Sequence, residues 1–372
     1  MKKGASYGLL TALVTIVILV AIKIQHEHLK MESRWMRFTP IKRANKHWDG
    51  LPRGIMESTS DMELKHLWKT SRFNSINVNI TVLLAIAVGI KQKHNVNTIV
   101  RKFHLVNCSV MLFHYDGNVD EWRDLEWNDR AIHILAYNQT KWWFAKRFLH
   151  PDIVSIYDYI FLWDEDIGVE NFHPERYLQI MISEGLEISQ PALDPDSSEI
   201  HHRITIRNKA TKVHRRVTYR GSLNCSSESR GPPCTGWVEG MAPVFSRAAW
   251  HCVWLLIQND LIHGWGLDMK LGYCAQGDRT RKVGVIDSEY IIHQGIPSLG
   301  GTSANKQLSH HRSPEQMTIK ARSDRSVDLR SQIRRQSTAE LEIFRRRWDQ
   351  AVREDEEWTD PFHHHKRKRR AS

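Results

Sequence analysis

Three polar clusters stand where this chain could do chemistry. Asp164-Glu165-Asp166 follows directly on the apolar run Tyr159-Ile-Phe-Leu-Trp163. Adjacent carboxylates repel, so a fold that crowds them at a strand end usually has a cation to offset the cost. Asp164 and Asp166, two residues apart, suit a hard divalent ion such as Mn2+ or Mg2+, or a metal-bound diphosphate. An acidic turn or helix N-cap is the plainer alternative. The second cluster, Asp287-Ser-Glu-Tyr-Ile-Ile-His293-Gln-Gly295, sets an imidazole at the end of an apolar segment. His293 could complete a metal shell with Asp166, or be a hydrogen-bonded structural residue. The third is Gly264-Trp265-Gly266-Leu267-Asp268. Its glycines allow close backbone approach and Trp265 offers a flat stacking face. Asp268 opens a helix, where a carboxylate can take a proton from an attacking hydroxyl or satisfy free amides.

The elements that must hold these clusters follow from hydrophobic patterning. Val82 to Val88 is a continuous apolar run, as in a strand buried on both faces. Val110–Tyr115, Ala131–Ala136 and Tyr159–Trp163 read as further strands, and Lys141–Leu149 as a helix ending before Pro151. Apolar strands separated by crossovers predict an α/β fold with an open, mostly parallel sheet flanked by helices, Rossmann-like in outline. Ligands in such sheets sit beyond the carboxyl ends of the strands, which is where the acidic triplet falls. Pro174–Leu186 is a helix with Pro at its start. Residues 202–207 and 213–219 alternate like a hairpin. Ala248–Gln258 and Leu267–Ala275 are further helices, and Val283–Ile286 with Tyr290–Ile292 closes the domain. Thr338 to Glu357 reads as a charged, solvated helix.

The ends of the chain carry different signals. Met1-Lys2-Lys3 precedes an uncharged run from Tyr7 to Ile22, the layout of a signal anchor with its basic flank in the cytosol. The expected plan is a cytosolic tail over 1–6, a single-pass type II transmembrane anchor over 7–24 and a stem over 25–75. A lumenal domain over 76–310 then precedes a polar, partly helical tail over 311–372. The formal net charge is +11, but five positive charges lie in Lys366-Arg-Lys-Arg-Arg370. No basic stripe interleaved with aromatics remains, so no nucleic-acid partner is expected. A lumenal domain can form disulfides. Cys225, Cys234, Cys252 and Cys274 allow three pairings, of which Cys225–Cys234 with Cys252–Cys274 closes the shortest loops. Cys108 is left over in an apolar strand. Asn79, Asn138 and Asn224 head glycosylation sequons expected to be used in part, as does Asn107.

The order of the clusters resembles the glycosyltransferase-A layout, in which an Asp-x-Asp holds the metal and a late His completes its shell. The resemblance implies Asp164, Asp166 and His293 on the metal, and Asp164, Asp116 and Trp265 on a nucleotide-sugar donor, UDP-sugar first. It also implies Asp268 as the base, and Trp237 and Glu239 as an acceptor-binding wall. Longer strings are more specific. Ala85-Ile-Ala-Val-Gly-Ile-Lys-Gln-Lys93, Phe161-Leu-Trp-Asp-Glu-Asp-Ile-Gly168 and Pro232-Pro-Cys-Thr-Gly-Trp-Val-Glu239 resemble the plant DUF707 family. Leu112–Gly117, Gln139–His150, Ala242–Arg247 and Leu271–Asp278 do so too, over residues 50 to 301. Members are sometimes labelled lysine-ketoglutarate reductase trans-splicing-related proteins. That label implies a nuclear RNA role at odds with a signal anchor and paired cysteines. The leading expectation is a metal-dependent Golgi or endomembrane glycosyltransferase acting on a polysaccharide or glycoprotein acceptor. The alternatives are a non-catalytic lumenal protein that binds glycan or a partner, and a nuclear protein using the basic tail for import.

Overall fold

The structure, a computed structural model, describes Lys23 and residues 50–55, 80–198, 200–219, 224–296 and 329–362. The expected anchor over 7–24, apart from Lys23, lies outside these residues, as do Asn79, most of the stem and the basic tail. Among the described residues no helix is long and apolar enough to cross a membrane.

Among the described residues nine strands form one sheet. β1 (Val82–Val88), β2 (Cys108–His114), β3 (Ile132–Leu135) and β4 (Tyr159–Trp163) run parallel in the order β3-β2-β1-β4. β8 (Val244–Ser246) then reverses direction and joins this half to β6 (Ile188–Leu193), which pairs in parallel with β9 (Val283–His293). β5 (Ile167–Gly168) and β7 (Val213–His214) flank β9 antiparallel. The expected mixed α/β sheet is therefore present, with its parallel half built from the four apolar runs.

β1 shows why those runs must be central. Leu83 and Ala85 enter one core, while Val82, Leu84, Ile86 and Val88 enter a second core on the opposite face. Successive side chains alternate across a strand, so both faces need cover and neither register can slip to water. Helices α1 (Lys93–Phe103), α2 (Lys141–Phe148), α3 (Pro174–Ser183) and α4 (Arg247–Leu256) belong to that cover. Thr140 and Ser246 cap α2 and α4 by accepting hydrogen bonds from Trp143 N–H and Ala249 N–H. α5 (Asp268–Leu271) and α6 (Arg279–Lys282) are single turns, and α7 (Leu329–Glu354) is the last helix among the described residues.

Four expectations are corrected. The alternating stretches at 202–207 and 213–219 do not pair with each other. Arg203–Thr205 is a 3-10 turn, and Val213–His214 pairs with β9, where the His214 imidazole sits 2.8 Å from the buried Asp287 carboxylate. Val213–His214 docks on β9, while Ile206 bridges to Leu193 of β6, so the two stretches pair with different strands rather than with each other. The two short strands expected near 283–292 are one strand. The stretch 50–55, assigned to the stem, packs into the core through Leu51 and Ile55. Finally, α7 is not a solvated helix. Phe344, Trp348 and Ala351 are buried against the core that holds Tyr273 and Leu267. Arg53 binds the buried Asp355 carboxylate through its backbone N–H at 2.9 Å and its guanidinium at 2.7 and 3.1 Å. Arg347 forks onto Asp260 with two contacts of 2.7 Å. Both pairs fasten the helix to distant parts of the chain.

Both local disulfides are present, Cys225–Cys234 and Cys252–Cys274, and Cys108 is free. Burial pushes the Cys108 thiol up to about 12, which keeps it protonated and unreactive.

Candidate active site

The carboxyl ends of β1 and β4 open into a cleft of about 1010 Å3. Its walls are the start of α2, the 239–241 turn, the 263–269 loop, His293 at the end of β9, and one face of α7. In the extended segment after β4, alternate residues face opposite ways. Glu165 therefore points back into the fold, where it accepts hydrogen bonds from Gly89 N–H at 2.7 Å and from the Tyr115 hydroxyl. Burial pushes its carboxyl up to about 8, so it serves as a neutral tie between β1 and β2.

Asp164 and Asp166 face the ligand space, and the His293 imidazole beside Asp166 also acts on Asp164. The Lys141 ammonium, at the first turn of α2, sits 2.6 Å from Asp164 Oδ1 and donates to the carbonyls of Gly240 at 2.6 Å and Met241 at 3.1 Å. Burial raises the Asp164 pKa, and Lys141 opposes that shift. Asp166 Oδ2 lies 3.3 Å from His293 Nε2 and accepts Ile296 N–H at 3.1 Å. The structure thus brings Asp166 and His293 together and turns Asp164 onto a lysine. Among the described residues, no three His, Cys, Asp or Glu side chains converge so as to hold a metal ion. The donor set does not fit the expected three-ligand shell, because one of its carboxylates already has a cation.

Asp268 opens α5 and accepts Met269 N–H at 2.8 Å. Burial pushes its carboxyl up to about 6, against the pull of that hydrogen bond and of the Arg345 charge. Glu239 is 8% exposed, and its Oε2 has no hydrogen-bond partner. Burial raises it to about 7, with nearby His293 opposing and Asp268 reinforcing the shift. Two carboxyl groups are thus poised to exchange protons near neutrality. Trp265 is 45% exposed on the cleft wall, where its flat ring face is open to a ligand. Its loop is fixed by its glycines. Gly264 has φ +68°, and a Cβ there would lie 2.3 Å from Trp142 Cδ1. Gly266 has φ +94° and would meet Leu341 of α7. His263 ties the loop to α7 by its backbone N–H and Nδ1, 2.8 and 2.9 Å from the Glu340 carboxylate.

Two candidates stand apart from the cleft lining. Trp237 is buried with its ring 4.5 Å from His202, so Glu239 alone of that pair faces the ligand space. Asp116 accepts Ile90 N–H at 2.6 Å and Asn118 N–H at 3.1 Å, and shapes the loops behind the site. Asn138 and Asn224 are exposed with positive φ of 55° and 41°. The sequence pattern missed Lys141, His201, His202 and the face of α7 that carries Arg334, Ser337, Thr338, Leu341 and Arg345. The stripe Ile333, Leu341, Phe344, Trp348, Ala351 was the signal for that helix, since its steps of three, four and eight residues keep to one helical face.

Among curated proteins, none matches the chain in sequence. Its fold is similar to that of S. aureus TarS 1–349 in complex with UDP, at 7% identity and TM-score 0.37, over 57% of this chain and 59% of that one. It is also similar to 4-diphosphocytidyl-2C-methyl-D-erythritol synthase of Anaerococcus prevotii, at 10% identity and TM-score 0.32, over 58% and 92% of the two chains. A third likeness is to the mannosyltransferase Ktr4p of S. cerevisiae in complex with GDP, at 10% identity and TM-score 0.22, over 38% and 47%. The chain spans about three fifths of the TarS 1–349 chain it matches. Residues 42–354, which take in the sheet, the cleft and the last helix, match the model of the protein of unknown function family DUF707, and the chain belongs to that family.

Proposed function

We propose that this protein is a glycosyltransferase that moves a sugar from a nucleoside diphosphate to a hydroxyl of a glycan or glycoprotein. The observation that carries this is the convergence of Asp268, Glu239 and the Asp166–His293 pair on one cleft at the carboxyl edge of the parallel strands. In the proposed reaction Asp268 takes the proton of the acceptor hydroxyl as its oxygen attacks the anomeric carbon. The bond to that carbon forms while the carbon–diphosphate bond breaks, and the leaving diphosphate carries away the electron pair. Glu239 positions the acceptor, and Trp265 stacks on a flat ligand face. Full-length protein should melt several degrees higher with UDP or GDP at saturating concentration. An unchanged melting temperature with both would overturn the proposal.

The proposal extends to a type II protein of the secretory pathway with this domain in the Golgi or endomembrane lumen. Two disulfides support an oxidising compartment. Exposed Asn138 and Asn224 are then available to oligosaccharyl transfer. Endoglycosidase treatment of protein from its native host should speed its migration on a gel. Identical migration before and after treatment, in variants lacking either sequon as well, would argue for another compartment.

A further inference from the structure

The sheet side of the cleft has little positive charge to spare. Lys141 is its cation, and three acceptors (Asp164 Oδ1, Gly240 O and Met241 O) already use the three protons of its ammonium group. Around it stand Asp164, Asp166, Glu239 and Asp268, carboxyl groups that offer an anion no counter-charge. The free charge lies on the opposite wall. α7 presents Arg334, Thr338, Leu341 and Arg345 to the cleft at spacings of four, three and four residues, which is one face of a helix. Both guanidinium groups are exposed, and neither forms an ion pair among the described residues. The arginines that hold this helix in place are spent differently: Arg347 on Asp260 and Arg53 on Asp355. The ligand-facing pair has no such partner among the described residues. The two stand about 16 Å apart along the helix axis, too far to grip one small group together. Arg345 is the one whose charge reaches Asp268.

We propose that Arg345 binds the diphosphate of the nucleotide donor, with Arg334 adding a longer-range attraction, so that the C-terminal helix supplies the charge that meets the leaving group. This rests on the glycosyltransferase proposal above. A guanidinium fork matches two phosphate oxygens at once, which a lysine cannot do. It also explains why the acidic side needs no third metal ligand, since the counter-charge comes from the facing wall.

The test is titration of the full-length protein with UDP and with GDP, once in EDTA and once in Mn2+. Binding in EDTA is expected, weakened about tenfold or more by Arg345→Ala and only about threefold by Arg334→Ala. Arg346→Ala, next in sequence but off the cleft, should bind as the unmodified protein does. Arg345→Lys should fall between. All four variants should melt as the unmodified protein does without ligand, because these side chains are exposed. Binding that appears only with Mn2+, or that survives Arg345→Ala unchanged, overturns the role of the helix and leaves donor binding standing. Absence of binding to both nucleotides under both conditions overturns the two proposals together.

Discussion

Asp268→Asn should lower the turnover of sugar transfer by about a thousandfold while leaving nucleotide affinity nearly unchanged. The amide keeps the size of the side chain and can still accept Met269 N–H, but it cannot hold the acceptor proton. Product release measured at saturating donor and acceptor checks the first part, and nucleotide titration the second. In the unmodified enzyme the rate should rise as pH climbs through about 6, where the Asp268 carboxyl loses its proton. Stability should move the other way. The folded carboxyl is raised from its ordinary 3.8, so the native state holds this proton more tightly than the unfolded chain does. That contribution is fully present below pH 4 and is lost as pH passes through about 6. Asp268→Asn should therefore melt above the unmodified protein at pH 8 and level with it at pH 4. A variant that stays active, or one that is less stable at both pH values, would rule out a strained catalytic carboxylate.

Trp348→Ala should cost about 3–5 kcal/mol of stability, the range for removing a buried aromatic ring. Trp348 is 4% exposed. It meets Tyr273 edge-on at 4.9 Å and Trp358 at 6.1 Å, and the Lys270 ammonium lies 4.0 Å above its ring. Its removal opens a cavity between the core and α7, the helix that carries Arg345. The variant should thus lose nucleotide affinity as well as stability. Phe103→Ala makes the comparison sharp. Phe103 sits in the core on the other face of the sheet, against Phe161 and Trp163 at 5.0 and 5.7 Å. It should destabilise to a similar degree in urea unfolding, yet keep its affinity below the transition. Equal losses of affinity in the two variants would mean that α7 has no special link to the site.

How much of this was legible in the sequence depended on how local its causes are. Val82–Val88 and Tyr159–Trp163 were read to the residue, because a strand covered on both faces is apolar throughout and ends where cover ends. The inward turn of Glu165 went unread, although alternation in an extended chain would have shown it. The cysteine pairing followed from short loops. Non-local partners were the hidden part. Nothing near Asp164 announces that Lys141, on the preceding helix, reaches its carboxylate. The hairpin error has the same root, because alternation fixes which face of a strand is covered but not which strand lies beside it. α7 was misread because charges outnumber apolar residues along it. Its buried stripe is narrow, and its ion pairs reach to Arg53 and Asp260 rather than to neighbours in sequence.

The clasp between residues 50–55 and the last helix has a consequence for how the protein is made. Translation delivers the carboxylates, His293 and Asp268 well before it delivers Arg345. At ordinary elongation rates the interval between His293 and Arg345 is about 3–10 s. During that time the nascent chain holds the acidic half of the cleft beside an uncovered apolar patch at Leu267 and Tyr273. Only when the helix arrives does Arg53 find Asp355 and the patch close. A pause in synthesis or a premature stop within that stretch yields a sticky chain without its cationic wall, a natural target for chaperones and quality control.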